Sequence, residues 1–333
     1  MSATPEEPGQ GATPSLAGQA VAGTLAPSAP AFLATPAMKG IALKVLATLL
    51  FAIMNTMVKA IPEIPPGEVA FARALFALPP ILLFAALTPG GVARCWRTKR
   101  PLLHVRRSLT GTVGMFFYFT SLTALPLVDA TAIGFAMPIF VVILAALFLK
   151  EHVGLYRWSA VLAGFLGVVF ILAPHFGDHG PVLGLSVGAA AGLAGALAAG
   201  FVVVFIRDMS RTESSESIVF YFMLTGTFAS SLTFFFDARV PNLAESALLV
   251  AIGIAGGLAQ LSMTFSYRFA EPSLLAPFDY TGLVWATLLG FALFGEVPVP
   301  MVVGGVLIVV GAGLFIAWRE RVRATAKPAI PSA

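Results

Sequence analysis

From about residue 41 onward the chain alternates long apolar runs with short polar joins. A helix needs about 20 apolar residues to cross roughly 30 Å of hydrocarbon. By that measure the pattern predicts ten spans, at about 41–60, 68–87, 105–124, 127–149, 156–173, 182–205, 216–236, 246–267, 272–294 and 299–318. The joins carry helix breakers or charge, as in Ile64-Pro65-Pro66-Gly67 and Pro89-Gly90-Gly91, and none is long enough for a separate soluble domain. Residues 1–37 are rich in Ala, Pro, Ser, Thr and Gly and read as a disordered tail, with too little bulky apolar surface to offset the entropy of ordering. The first charges are Glu6 and Glu7, and no Lys or Arg precedes Lys39, so the basic start of a signal peptide is missing. Residues 319–333 read as a short cytoplasmic tail.

Composition narrows the class further. The chain is 58% hydrophobic and only 11% charged, with mean hydropathy +0.91, whereas soluble domains carry about 25% charged residues. The whole chain is therefore neither a soluble domain, a disordered chain, collagen nor a coiled coil, and the expected class is an all-α integral membrane protein. The one cysteine, Cys95, excludes a disulfide framework and a multi-thiolate metal site. The four histidines (His104, His152, His175, His179) fall at segment edges, with no HExxH or EF-hand pattern, so no metal or cofactor is expected. The net charge of +4 sits in the loops. It fits a lipid bilayer as partner rather than nucleic acid. A small-molecule substrate completes the expected partners, and a homodimer is left open.

The basic residues orient the spans. With the N-terminus cytoplasmic, the inner side collects 17 of the 20 Lys and Arg, including Lys39, Lys44, Arg94, Arg106, Arg107, Lys150, Arg268 and Arg319. Lys59 and Arg239 fall outside and Arg73 lies within a span. Such a bias predicts both termini inside.

The chain also repeats itself. Residues 128–151, VDATAIGFAMPIFVVILAALFLKE, and residues 273–296, SLLAPFDYTGLVWATLLGFALFGE, each run from a small or polar start to a bulky stretch closed by one Glu. A Gly-containing final span follows in both cases. Each half holds five spans, an odd number, so the second half enters from the opposite side and the repeats are inverted. Glu151 then lies inside and Glu296 outside. Inverted repeats are the architecture of alternating-access carriers.

Ten spans in two five-helix units, Phe71-Ala72-Arg73 in the second span and the Glu closing spans four and nine resemble the EamA family of the drug/metabolite transporter superfamily. The stretches Leu125–Ile133 and Ala276–Tyr280 are similar to its bacterial metabolite-exporter branch, which includes riboflavin and S-adenosylmethionine carriers. The likeness covers about residues 40–318. It implies one repeat at 41–173, a second at 182–318, and a multi-pass protein of the bacterial inner membrane. It implies little about the substrate.

Ionisable groups in spans cost at least about 2.5–3.5 kcal/mol at mid-bilayer, so each needs a partner or a wet cavity. Arg73, about five residues past Glu68, is a candidate anchor for a carboxylate or phosphate; an ion pair or snorkelling to the outer interface are the structural alternatives. Asp279, two residues after Pro277, is a candidate proton-coupling acid or amine site; a stabilising partner for a base such as Arg268 is the alternative. Thr48, Asn55 and Lys59 share one face of span one, with Lys59 able to snorkel. Matching stripes run down span three (Arg107, Gly111, Gly114, Tyr118, Ser121) and span eight (Gly256, Gln260, Thr264, Tyr267). Tyr280 and Trp285 could stack on an aromatic solute. The small residues Gly184, Gly188, Gly192, Ala196 and Gly200 form a close-packing ridge on span six, and Pro138 predicts a kink in span four.

The substrate-binding expectation is thus Arg73, Asn55, Tyr118, Gln260, Tyr280 and Trp285, with Asp279 for coupling. No GxxxxGKS motif is present, so energy would come from a gradient. A gradient-driven carrier of an amino acid or aromatic metabolite is expected, with riboflavin or S-adenosylmethionine uptake as the alternative within the family. A non-transporting receptor or scaffold is the alternative from another class. A membrane enzyme would need a nucleophile or metal set that the spans lack.

Overall fold

The computed structural model describes residues 36–148, 155–176, 186–209, 212–270, 275 and 278–325. The described chain is helical, and helix lies on each of the ten apolar runs. In order these are α1 (Pro36–Lys59), α2 (Pro66–Leu87), the short α3 (Ala93–Trp96), α4 (Pro101–Ala124), α5 (Leu127–Gly134), α6 (Met137–Phe148) and α7 (Leu155–Leu172). The second half holds α8 (Val187–Met209), α9 (Ser215–Ser231), α10 (Leu243–Phe269), α11 (Thr281–Phe294) and α12 (Pro300–Thr325). Among the described residues, six stretches are long and apolar enough to cross a membrane: α1, α2, residues 127–144, residues 187–206, residues 216–235 and residues 243–266. Shorter apolar helices occupy residues 161–175, 281–294 and 300–315. The expected third span, α4, is not among the six; His104, Arg106, Arg107, Ser108, Thr110 and Thr112 make its first half polar.

Three expectations change. Helix α1 begins at Pro36, inside the segment read as tail, and α12 runs on to Thr325 past the expected end at 318. Pro138 does not merely kink span four; the helix stops at Gly134 and restarts at Met137. Proline has no N–H to give to the carbonyl four residues back, and its ring crowds that carbonyl. The turn tightens instead, with Phe135 and Ala136 donating to Ala132 and Ile133. The expectations for Glu151, Gly184, Ala276 and Pro277 lie outside the described residues.

The two halves interleave. Helix α1 packs along α10 and α11, α4 along α8 and α9, α2 along α10 and α9, α6 along α8, α5 along α11, and α7 along α12. Replacing each span by the one five positions away leaves this pattern of neighbours unchanged. Glycines set the closest approaches. A Cβ on Gly192 would lie 2.7 Å from Ser121 Oγ, one on Gly188 2.8 Å from Ala124 Cβ, and one on Gly200 3.0 Å from Phe140 Cβ, so the small face of α8 is a contact surface for α4 and α6. Where α7 crosses α12, a Cβ on Gly167 would lie 2.8 Å from Gly305 O, and one on Gly305 2.6 Å from Gly167 O. Gly167→Val should therefore destabilise the protein by about 1–3 kcal/mol, because backbone cannot move aside as a side chain can. Thermal unfolding in detergent checks this, and an unchanged midpoint would mean that the crossing yields.

Candidate functional site: a polar layer between two ion pairs on helix α1

Helix α1 carries polar side chains at both ends and at an intermediate level, all turned towards other helices. Towards its N-terminal end the buried Lys44 ammonium sits 2.7 Å from Asp279 Oδ1. One turn on, the Thr48 and Thr281 hydroxyls meet at 2.7 Å. Asp279 is therefore paired with Lys44, while the Arg268 side chain lies outside the described residues, and Lys44 is buried rather than a solvated cation.

The C-terminal end of α1 is a closed cluster. Lys59 Nζ lies 2.9 Å from Glu296 Oε1 and donates to Leu125 O. The second oxygen, Glu296 Oε2, accepts from Leu127 N–H at 2.7 Å. Local backbone aims this carboxylate. Gly295 adopts φ +67°, a left-handed residue that ends α11, and Glu296 N–H turns back to Gly290 O at 3.1 Å. Lys59 therefore does not snorkel; it joins α1 to the loop after α11 and to the Pro126 turn.

Between these pairs lies the polar layer. Met54 and Asn55 are neighbours on α1. Asn55 Nδ2 donates to Tyr118 OH on α4 at 2.9 Å, while Asn55 Oδ1 is buried with no donor among the described residues. Arg73 of α2 is buried, and among the described residues the acceptors of its guanidinium are sulfurs: Nε donates to Met54 Sδ at 3.4 Å and Nη1 to Met115 Sδ at 2.8 Å. Thioether sulfur is a weak acceptor. Gly256 of α10 makes room for this arrangement, since a Cβ there would lie 2.9 Å from Met54 Sδ and 3.2 Å from Arg73 Nε. Glu68, five residues before Arg73, does not pair with it; Glu68 Oε1 accepts from Arg239 N–H at 2.5 Å.

Of the residues singled out from sequence, the fold brings Arg73, Asn55 and Tyr118 to one level of the bundle. Gln260 follows one turn after Gly256 on α10 and is part-buried. Tyr280 lies elsewhere. Its ring stacks on Phe135 at 5.0 Å, its hydroxyl fills the space beside Gly313, and it lines a small pocket with Pro138, Ile139 and Val309. Trp285 on α11 has a buried Nε1 with no acceptor among the described residues. Asp279 is displaced too, because Lys44 and Met54 are ten residues apart on α1, about 15 Å along the axis. Arg73 and Asp279 are thus two sites and not one zwitterion clamp.

Sequence reasoning missed Met54 and Met115, which look like ordinary core residues, and misplaced Lys44. The available signal was that Lys44, Thr48, Asn55 and Lys59 continue one helical stripe. Two further buried pairs involve histidine: His104 Nε2 is 3.3 Å from Glu213 Oε2 and His175 Nε2 is 3.0 Å from Asp129 Oδ2. At the membrane edge, burial lowers the His104 pKa despite Glu213. Burial alone would raise that of Glu213, but hydrogen bonds from Lys99 N–H, His104 and Thr98 bring it below the usual carboxylate value.

The chain is similar to known proteins. The EamA-like transporter family model matches residues 38–173 and 186–318. The pseudopaline exporter CntI of Pseudomonas aeruginosa is 33% identical over 274 residues, covering 81% of this chain and 93% of the relative. The S-adenosylmethionine uptake transporter of Rickettsia bellii is 30% identical over 254 residues, 76% of this chain and 84% of the relative. The riboflavin transporter of Rhizobium johnstonii is 30% identical over 289 residues, 86% of this chain and 92% of the relative. One solved crystal structure, 21% identical, aligns with a TM-score of 0.60 over 85% of this chain and 98% of its own, a likeness of fold alone. With the family model matching both halves and apolar helices throughout, the chain belongs to the EamA-like transporter family and is a multi-pass membrane transporter, not an enzyme.

Proposed function

We propose that the protein is a gradient-driven carrier of a small organic metabolite in the bacterial inner membrane. It would cross the bilayer ten times as two inverted five-helix repeats, with both termini inside. The unchanged pattern of helix neighbours on exchange of the halves supports this, as does the family model's match to two separate stretches. The relatives are named for three different solutes, so the site rather than the fold must select the substrate.

The observation that carries the reading is Arg73, buried among helices with two thioethers as its acceptors. A guanidinium held this way has its desolvation cost offset only when an anion arrives. The solute's anionic group therefore binds Arg73, and Asn55 Oδ1 and Tyr118 OH serve its neighbouring donors and acceptors. An amino acid fits, as does an aromatic metabolite bearing an acidic group. Asp279, with its Lys44 partner at the inner end, is the coupling acid: protonation of the carboxylate loosens α1 from α11 there, while Lys59 and Glu296 hold the outer end.

Uptake into proteoliposomes tests the anchor, screening amino acids, flavins and nucleoside-like metabolites. Arg73→Ala should lower kcat/KM for the transported solute by about thirtyfold or more, the cost of leaving a buried charge unpaired. Arg73→Lys should recover part of this, because it restores the charge without the planar fork. Normal transport by both variants would remove Arg73 from the site.

A further inference from the structure

The hydrogen bond between Asn55 and Tyr118 has a direction, and a third helix sets it. Thr131 of α5 donates its hydroxyl proton to Leu127 O, 2.7 Å away. Its oxygen can then only accept from the Tyr118 hydroxyl, to which it is also hydrogen-bonded. The Tyr118 ring reaches α5 at this level, since a Cβ on Gly134, three residues after Thr131, would lie 3.8 Å from its Cε2. Having given its proton to Thr131, the Tyr118 oxygen accepts on its other side, and Asn55 Nδ2 meets it at 2.9 Å. Donation therefore runs from Asn55 to Tyr118 to Thr131 to Leu127 O. An amide whose nitrogen is committed in this way is left with its oxygen to offer. Asn55 is 7% exposed, and Oδ1 has no donor among the described residues.

This bare acceptor stands beside the Arg73 guanidinium. Arg73 reaches Met54 on α1 at 3.4 Å and Met115 on α4 at 2.8 Å. The Asn55–Tyr118 bond joins the same two helices, from the residue after Met54 to the residue three after Met115, less than one turn along α4. A cation with thioethers for acceptors and a carbonyl oxygen without a donor thus share one level. One occupant satisfies both if it carries an anionic group with a hydrogen-bond donor close by.

We propose that the solute carries an N–H or O–H donor on the carbon next to its anionic group, that Asn55 Oδ1 reads this donor, and that Thr131 is the positioning residue that keeps Oδ1 turned towards it. This deepens the carrier reading and rests on it for Arg73 as anchor and for the route by which the solute arrives. Thr131 acts through Tyr118 and touches no solute. Without the Thr131 hydroxyl, the Tyr118 proton is free to go to Asn55 Oδ1, the amide turns over, and an N–H takes the place of the carbonyl. The site therefore separates amino and hydroxy acids from keto acids and plain acids of the same size.

Binding to the purified full-length protein in detergent tests this without any gradient. Thermal unfolding is titrated with alanine, lactate, pyruvate and propionate at matched ionic strength. Alanine and lactate should bind about tenfold or more tightly than pyruvate and propionate, because an acceptor that loses water and gains no donor opposes binding. Lactate and propionate have the same charge, so their difference isolates the hydroxyl. Equal binding of all four, or no response to alanine and lactate, overturns the proposal.

Thr131→Val keeps the branched shape and removes the hydroxyl. It should bring alanine and pyruvate, a donor and an acceptor at the same carbon, to parity, and Thr131→Ser should restore the preference for alanine. A weakening equal for all four solutes would mean that Thr131 only packs, and overturns its positioning role. Thr131→Ala gives the same comparison should the valine variant fail to fold. Donor-dependent binding with no transport of any solute in the proteoliposome screen would defeat the carrier reading and leave this subsite standing. Transport of pyruvate and propionate as readily as alanine and lactate would keep the carrier and overturn the subsite.

Discussion

Asp279→Asn is expected to abolish gradient-driven accumulation while the protein folds and still exchanges solute down its gradient. Asparagine keeps the shape and can accept a hydrogen bond from Lys44, but it has no proton to gain or lose. The geometry suits a titrating role for the acid rather than the base: the Lys44 side chain is 1% exposed and that of Asp279 is 45% exposed. A carboxylate with one open side can exchange protons while its partner stays fixed. The same asymmetry separates two truncations. Asp279→Ala leaves the buried ammonium without its carboxylate and should cost about 3 kcal/mol. Lys44→Met leaves a carboxylate that is less enclosed than the ammonium, and should cost less, about 1 kcal/mol. Proteoliposome uptake with and without an imposed proton gradient, beside thermal unfolding of each variant, measures both effects. Full accumulation by Asp279→Asn would end the coupling role.

At the other end of α1, Glu296→Ala should destabilise the protein by about 3–5 kcal/mol. The carboxylate uses both oxygens, one on Lys59 and one on Leu127 N–H, and the two side chains are only 16% and 14% exposed. Its loss strands a largely buried ammonium and a backbone donor together. A double-mutant cycle with Lys59→Met and Glu296→Gln should give a coupling of about 2 kcal/mol, within the range for paired groups. Strict additivity would reduce the pair to a chance contact. Because this cluster ties α1 to the loop after α11 and to the Pro126 turn, its disruption should also favour states in which this end of the bundle opens. Faster labelling of a cysteine introduced near residue 126 would report that opening.

Much of the helical framework was legible because its cause is local. A run such as 246–267 must satisfy its own backbone hydrogen bonds wherever water is scarce, and α10 occupies it from Leu243 to Phe269. Boundaries were less legible. Pro138 marks the interruption of span four, but the chain parts two to three residues before it, at Phe135 and Ala136, whose N–H groups turn back to Ala132 and Ile133. The depth of Arg73 could be counted from Glu68, and the stripe holding Asn55 could be read from its spacing. That Arg73 would face sulfur could not, because Met54 and Met115 sit 19 and 42 positions away. Lys59 likewise looked free to reach the interface until a Glu 237 positions later met it.

The order of residues alone therefore determined that this chain is a helical membrane protein of duplicated pattern, with a few charges in apolar surroundings. Hydrophobic run length, proline and glycine placement and loop charge act over one helix at a time. Tertiary packing decided which of those charges are matched. Lys44 and Lys59 acquired carboxylates from the far half of the chain, whereas Arg73 and Arg107 acquired thioethers and an aromatic ring. The physical reason is range: burial energy can be read along a helix, but ion pairing depends on which helices touch, and that is settled only when all of them pack.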